Sequence, residues 1–136
     1  MDLGNCGLDF LPNELFDKFF TKTLKGLSLG LFYFNEMNNL VGSENSDRVN
    51  YLNEHELGKL SKLKNLQRFF FNVSQNSDNR ISSMSFVSGL MRLNYLSLTG
   101  NKIYKIEGLD ENLQTLDISN NQISKIEGLN ENLHIL

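Results

Sequence analysis

The C-terminal part of the sequence repeats itself at an interval of 20 residues. The segment LNYLSLTGNKIYKIEGLDEN, residues 93–112, is followed directly by LQTLDISNNQISKIEGLNEN, residues 113–132, and LHIL then opens a third copy. The shared pattern is L-x-x-L-x-L/I-x-x-N-x-I-x-x-I-x-x-L. A fixed period of this length is typical of proteins that stack one small unit, because a single unit cannot bury its own apolar row.

The spacing inside each repeat predicts its local structure. The L-x-L alternation, as at Leu96 and Leu98, predicts a short strand whose alternate side chains point into the core. The later apolar residues, such as Ile103 and Ile106, predict the return path to the next strand. We therefore predict an α/β fold in which a curved parallel sheet forms the concave side and short helices or turns form the convex side.

This pattern resembles that of leucine-rich-repeat proteins. The resemblance implies a leucine-rich-repeat solenoid of about five partial or complete repeats. NKIYKIEGL and NQISKIEGL look like the cytoplasmic class found in phosphatase-regulatory proteins and similar scaffolds, whereas the opening LGNCGLDFLPNELF looks like bacterial arrays, including those fused to Roco-type GTPase modules.

The resemblance also implies a structural role for the residue at the Asn position. In the family this side chain points inward and hydrogen-bonds the backbone of neighbouring repeats as a ladder, and an unsatisfied buried backbone group costs about 1–3 kcal/mol. Phe32 stands where the second repeat would have its Asn, which puts the ladder in doubt there. The predicted ladder residues are Cys6, Asn79, Asn101 and Asn121.

We predict one domain over residues 1–136. Residues 1–92 are predicted to form long irregular repeats, with a helix in LPNELFDKFF and another in ELGKLSKLKNL. They are interrupted by an insertion loop at about 35–56, rich in Asn, Ser and acidic residues. Residues 93–132 form the regular repeats and 133–136 a truncated one. Since no clear C-terminal cap is evident, we expect self-association through uncapped ends.

Composition excludes several classes of partner. The net charge is −3 and no dense run of Lys or Arg is present, which argues against nucleic acid. No apolar stretch approaches the roughly 20 residues of a membrane-spanning helix, so no membrane contact is predicted. Met1 is not followed by a signal region, and the lone Cys6 has no disulfide partner. These features favour the cytoplasm, or a secreted or cell-surface location if the true N-terminus is missing.

The sequence shows no set of residues that would support catalysis. No nucleophile with a base, carboxylate pair or metal-ligand spacing is evident, so we predict no enzymatic activity, no cofactor and no metal. Cys6 is accounted for by its ladder position. The run SQNSDN at 74–79 lacks the Gly and the closing Glu of a calcium-binding loop.

The positions that alternate with the buried leucines define a candidate binding face. Among them, Phe70 and Tyr95 beside Arg68 stand out, since aromatic residues with Arg are common interface anchors. The alternative is that Phe70 is covered by the insertion or simply tolerated. The predicted face consists of Arg68, Phe70, Asn72, Tyr95, Ser97, Thr99, Thr115 and Asp117.

These features predict a protein–protein interaction module or scaffold that binds a protein on the concave sheet face. Two alternatives stay open: an extracellular internalin-like adhesion array, and a regulatory structural segment of a larger GTPase or kinase-type signalling protein. A signal peptide or anchor would favour the first alternative, and a GTPase or kinase segment downstream would favour the second.

Overall fold

The chain consists of very short strands joined by turns and a few short helices. The structure, a computed structural model, describes residues 1–37, 39–43, 50–74, 80–127 and 129–136. The strands are β1 (Gly26–Ser28), β2 (Phe32–Phe34), β3 (Leu40–Gly42), β4 (Arg68–Phe70), β5 (Tyr95–Ser97), β6 (Thr115–Asp117) and β7 (His134–Ile135). The α-helices are α1 (Lys18–Thr23) and α2 (Glu54–Gly58), and 3-10 helices cover Asn13–Phe16, Lys59–Lys62 and Ser85–Gly89.

Five strands form one open parallel sheet in the order β1-β4-β5-β6-β7. The strands pair in register, so that the second residue of each strand, which is apolar, lies in a single row across the sheet. This row contains Leu27, Phe69, Leu96, Leu116 and Ile135. Asp2 forms an isolated parallel bridge with Ser28 beyond β1. The predicted mixed α/β architecture with a parallel sheet is therefore confirmed.

The core lies behind this sheet. Leu96 and Leu116 are fully buried, as are Leu57 in α2 and Met84 beside the third 3-10 helix. In each strand, the residues that flank the buried one face the opposite side of the sheet, because successive side chains of a strand alternate. Burying this row of leucines is the main favourable contribution to folding, at about 25 cal/mol per Å² of apolar surface.

The predicted N-terminal helix is divided into two pieces. In LPNELFDKFF, residues Asn13–Phe16 form a 3-10 helix and α1 begins at Lys18. Asp17 separates them because it is extended and its carboxylate accepts hydrogen bonds from the N–H groups of Phe19 and Phe20, at 2.9 Å each. Within the described ranges, no helix is long and apolar enough to cross a membrane.

The insertion differs from the predicted irregular loop. It begins earlier, at Phe32, and β2 pairs with β3 as an antiparallel hairpin. It also ends earlier: α2 starts at Glu54, where the side chain of Asn53 accepts a hydrogen bond from the Glu56 N–H. Residues 38 and 44–49 of the insertion, and the predicted ladder residue Asn79, lie outside the described residues.

Candidate protein-binding face

Asn101 joins three segments of backbone behind the sheet. Its Oδ1 accepts a hydrogen bond from Ile81 N at 3.1 Å, and its Nδ2 donates to Phe71 O and Leu98 O at 2.9 and 2.8 Å. The side chain is 1% exposed. Because these three backbone groups are buried away from the strand ladder, the amide supplies partners that water cannot.

Asn121 repeats this arrangement one repeat later. Its Oδ1 accepts from Ile103 N at 3.0 Å, and its Nδ2 donates to Leu98 O and Ile118 O, both at 2.9 Å. The residue is only half-buried, since it lies closer to the C-terminal edge of the sheet. Each of the two Asn residues therefore links its own repeat to the preceding one.

Asn50 has the same role in the second repeat, where the repeat spacing predicted Phe32 at the Asn position. Its Oδ1 accepts from Leu8 N, and its Nδ2 donates to Leu3 O and Leu29 O, all at 2.8 Å. The hairpin insertion lies between β1 and Asn50. Asn50 therefore does not have the distance from its strand that the later repeats predict. The signal that could have found it is the short pattern N-x-L at Asn50 and Leu52, which matches N-x-I in the later repeats.

A residue with a left-handed backbone precedes three of the predicted ladder positions. Asn5, Gly100 and Asn120 have φ values of 52°, 83° and 57°. Asn and Gly are the residues that adopt this conformation most readily. Close packing is a second reason for a glycine at position 100, because a Cβ built on it would lie 1.9 Å from Val73 O.

Cys6 does not have the environment predicted for a ladder residue. It is exposed, and its Sγ donates to Gly4 O at 3.4 Å instead of bonding a neighbouring repeat. The reason is that Cys6 lies in the outermost repeat of the described chain. Partial desolvation and the nearby Asp2 carboxylate raise the pKa of the thiol, which keeps it protonated near neutral pH.

On the opposite side of the sheet, one row of side chains remains accessible. Gly26 pairs with Arg68, Arg68 with Tyr95, Tyr95 with Thr115, and Thr115 with His134. Arg68 and His134 are exposed, and the other three are half-buried. We call these five residues the outer row. Because neighbouring strands lie about 4.8 Å apart, the outer row extends for about 19 Å.

A second outward-facing row lies two residues further along each strand. This row is buried at the β1 end of the sheet, and the expectation that Phe70 is exposed is wrong. Phe70 is 3% exposed, and its neighbours Ser28 and Ser97 are 1% and 2% exposed. The Ser28 hydroxyl, which projects from this face, donates to Phe32 O at 2.7 Å. The chain entering the insertion hairpin therefore passes over this end of the face.

Asn72 and Thr99 lie at the carboxyl ends of β4 and β5. Asn72 is 4% exposed, and its Nδ2 donates to the hydroxyl of Ser97, whose oxygen lies 3.4 Å from the Thr99 hydroxyl. In the described part of the chain, Asn72 Oδ1 has no hydrogen-bond partner. The buried amide is inaccessible to a glycan in the folded state, although the sequence NVS at 72–74 matches a glycosylation site.

Tyr95 lies between the covered and the accessible part of the face. Its ring stacks on Phe70, with centroids 5.2 Å apart and planes inclined by 29°. Burial, and to a lesser extent the charge of Asp117, raise the pKa of its hydroxyl. Asp117 itself accepts hydrogen bonds from Ser119 N and Ser119 Oγ, at 3.1 and 2.6 Å. Tyr95 is therefore a fixed neutral aromatic residue at the centre of the outer row.

A cleft of about 290 Å³ opens beside the outer row at the β1 end of the sheet. It exists because Gly26 has no side chain: a Cβ built there would find only Arg68 Cβ, at 4.0 Å. Phe70 forms part of its lining, together with Lys25, Gln67 and Arg68. The structure thus brings Arg68, Phe70 and Tyr95 together as predicted, with Phe70 as a buried support.

Among the described residues, no group of three potential metal ligands is present. No protein-family model matches the chain, and a search of curated proteins found no significant match.

Proposed function

We propose that the chain is a leucine-rich-repeat solenoid that binds a protein partner through the outer row of its sheet. The repeated pattern and the equivalent hydrogen bonds of Asn50, Asn101 and Asn121 support the repeat assignment. The observation that supports binding most directly is the accessible row centred on Tyr95, in register across five strands.

The environment of Tyr95 favours a role as an anchor. Aromatic side chains with few rotatable bonds provide large contact area at low entropic cost, and Tyr is enriched at the centres of interfaces. The stacking on Phe70 restricts the ring before a partner arrives. Less conformational freedom is then lost on binding, which improves affinity without additional contacts.

The shape of the face favours an extended protein segment over a small molecule. Ligand pockets usually enclose most of the surface of a small ligand. The outer row is instead an open strip of about 19 Å, long enough for about six residues of an extended chain at about 3.3 Å each. The half-buried polar residue Thr115 lies in the strip next to Tyr95, a combination typical of a polar interface.

The test is affinity capture from a lysate of the cells that produce the protein, analysed by quantitative mass spectrometry. The wild-type chain is compared with Tyr95→Ala and with Tyr104→Ala, whose tyrosine is 58% exposed outside the outer row. Circular dichroism melts confirm that both variants fold. A partner that is lost with Tyr95→Ala and retained with Tyr104→Ala supports the proposal.

Two outcomes contradict this function. If the partner is retained by Tyr95→Ala, the binding surface lies elsewhere, and the insertion, with the exposed residues Met37 and Leu40, becomes the site to test. If no protein is enriched by the wild-type chain, the alternative of a structural segment within a larger protein is favoured.

A further inference from the structure

The outward side of the sheet carries a carboxylate next to the outer row. Asp117 follows Thr115 of the outer row by two residues in β6, and it pairs by register with Ser97 of β5. It is half-buried. At the opposite end of this second row, Asp2 lies beside Ser28. Among the outward residues of the five described strands, Asp117 is therefore the only acidic one.

One oxygen of the Asp117 carboxylate is fixed by the chain itself. Oδ1 accepts hydrogen bonds from Ser119 N at 3.1 Å and from Ser119 Oγ at 2.6 Å. The described residues offer no donor to Oδ2. This atom is also not one of their buried unpaired atoms, which are Asn72 Oδ1 and Arg80 Nε. Oδ2 is therefore held in place and is open to a group from outside.

Asp117 has no counter-charge within the part of the chain that the structure describes. The ion pairs found there are Lys59–Glu56, Lys105–Glu107 and Lys125–Glu127. Residues 93–136, which contain Asp117, include six acidic and three basic residues. The electrostatic potential around the regular repeats is therefore negative, which attracts a cation.

A buried amide adds to this negative potential. Asn72 is 4% exposed, and its Nδ2 donates to the hydroxyl of Ser97, the register neighbour of Asp117. Within the described ranges, the Oδ1 of the same amide has no partner. An amide oxygen that accepts no hydrogen bond keeps its negative partial charge uncompensated in a region of low dielectric constant. Two independent features of this part of the face thus favour a cation.

We propose that Asp117 binds a lysine side chain of the partner protein. This inference rests on the proposed function, because it adds a charged contact to an interface centred on Tyr95. The ammonium group of lysine is a compact point charge that needs one well-placed acceptor, which Oδ2 supplies. The guanidinium group of arginine binds best to both oxygens of a carboxylate at once, but Oδ1 already accepts two hydrogen bonds from Ser119. The geometry therefore favours lysine over arginine.

Tyr95 and Asp117 are close enough to contact the same lysine side chain. Tyr95 pairs with Thr115, two residues before Asp117. A strand spacing of about 4.8 Å and a rise of about 3.3 Å per residue place Tyr95 and Asp117 about 8 Å apart along the backbone. The charge of Asp117 also contributes to the raised pKa of the Tyr95 hydroxyl. The aliphatic stem of a lysine can lie against the half-buried ring of Tyr95 while its ammonium group reaches Asp117.

The experiment is a titration of the full ¹⁵N-labelled chain with 12-residue peptides, followed by two-dimensional NMR. The three peptides alternate Ser with Lys, with Arg or with Glu. The variant Asp117→Asn removes the charge but keeps a side-chain oxygen that can accept from Ser119. The control Glu111→Gln removes the same charge at an exposed position in the same repeat.

We expect the Lys-containing peptide to shift the amide signals of Ser97, Asp117 and Ser119, with an affinity that falls severalfold between low and high salt. Asp117→Asn should bind this peptide at least about threefold more weakly, whereas Glu111→Gln should differ from the wild type by less than about twofold. At these residues the Arg-containing peptide should bind no more tightly than the Lys-containing one, and the Glu-containing peptide should not bind. Unchanged signals of the core amides show that the variants are folded.

Three results overturn the inference: no shift of these amides by the Lys-containing peptide at millimolar concentration, equal weakening by the control variant, or severalfold tighter binding of the Arg-containing peptide. The capture experiment, repeated with Asp117→Asn, separates this failure from failure of the proposed function. A partner that is lost with Tyr95→Ala but retained to the same salt concentration by Asp117→Asn leaves the function standing and removes only the lysine contact.

Discussion

The regular repeats and the interrupted repeat make the same hydrogen bonds at very different chain spacings. In the fourth repeat, Asn101 bonds the carbonyl of Leu98, three residues before it. In the second repeat, Asn50 bonds the carbonyl of Leu29, 21 residues before it, and the hairpin β2–β3 lies between. Both Asn residues are almost fully buried.

This difference shows that a repeat must keep the hydrogen bonds to its buried backbone groups, whereas the length of chain between the bonded residues can change. The cost of closing a loop grows slowly with its length, so an insertion is tolerated thermodynamically. An unsatisfied buried backbone group is costly whatever the loop length. An insertion is therefore compatible with the fold where the chain still returns an amide to the position of Asn50. The chain that enters the insertion also passes over the β1 end of the face, where Ser28 and Phe70 are buried.

The largest effect should come from placing a charge in the core of either region. Leu116→Asp in a regular repeat and Leu52→Asp in the interrupted repeat should both abolish cooperative thermal unfolding, because each leucine is fully buried. Truncating such a residue to Ala already costs about 2–5 kcal/mol, a large part of a typical total stability of about 5–15 kcal/mol. Ile126→Asp, at a 57% exposed position, is the control and should fold normally. If Leu52→Asp unfolded cooperatively like the wild type, the interrupted repeat would not share the core.

The second effect tests the equivalence of the two Asn residues directly. Asn50→Ala and Asn101→Ala should each lower the free energy of unfolding by at least about 2 kcal/mol. Asn50→Ala removes the side-chain partner of three backbone groups, and Asn101→Ala removes that of two, because Leu98 O keeps its hydrogen bond from Asn121 Nδ2. Asn112→Ala, at an exposed position, should cost less than about 1 kcal/mol. Urea titrations measure all three. A loss at Asn50 that matches only the exposed control would show that the two positions are not equivalent.

A smaller loss of stability should distinguish the left-handed residues of the two regular repeats. Gly100→Ala and Asn120→Ala both impose a left-handed backbone on alanine, which costs about 1–2 kcal/mol. Gly100→Ala should cost more, since its new Cβ would clash with Val73 O, whereas Asn120 is exposed. Thermal melts of both variants give the comparison, and equal losses would mean that the close approach at Gly100 carries no energetic weight.

The smallest effect concerns a contact between the interrupted repeat and the next one. Glu54 in α2 is partly desolvated, but hydrogen bonds from Ser82 N and Ser83 N, at 3.1 and 3.3 Å, lower the pKa of its carboxyl. This contribution to stability is present above the ordinary Glu pKa and is lost as pH falls through the lowered value.

Glu54→Gln should therefore reduce the dependence of the unfolding free energy on pH below about 4.5, by less than about 1 kcal/mol at this partly exposed site. Urea titrations between pH 3 and 7 measure it. Glu131→Gln, which removes the same charge at an exposed position in the last turn before β7, serves as the control. An unaltered profile in Glu54→Gln would show that the contact does not contribute.

Much of the sheet could be predicted because its pattern is local. The alternation at Leu96 and Leu98 and its copy 20 residues later define the inward row and the parallel register. The residues of the candidate face were predicted from the same alternation, and Arg68 and Tyr95 do lie in one row of the sheet. The sequence left open whether Phe70 is covered by the insertion, because its burial depends on where a separate segment passes.

The sequence by itself determined the repeat length, the strand positions and the inward row, because each depends on residues a few positions apart in the chain. The tertiary structure alone decided that Asn50 replaces Phe32 in the backbone bonds, that Cys6 is exposed, and that a cleft opens over Gly26. Each of these depends on how distant segments meet in space, which the 20-residue period of the sequence does not specify.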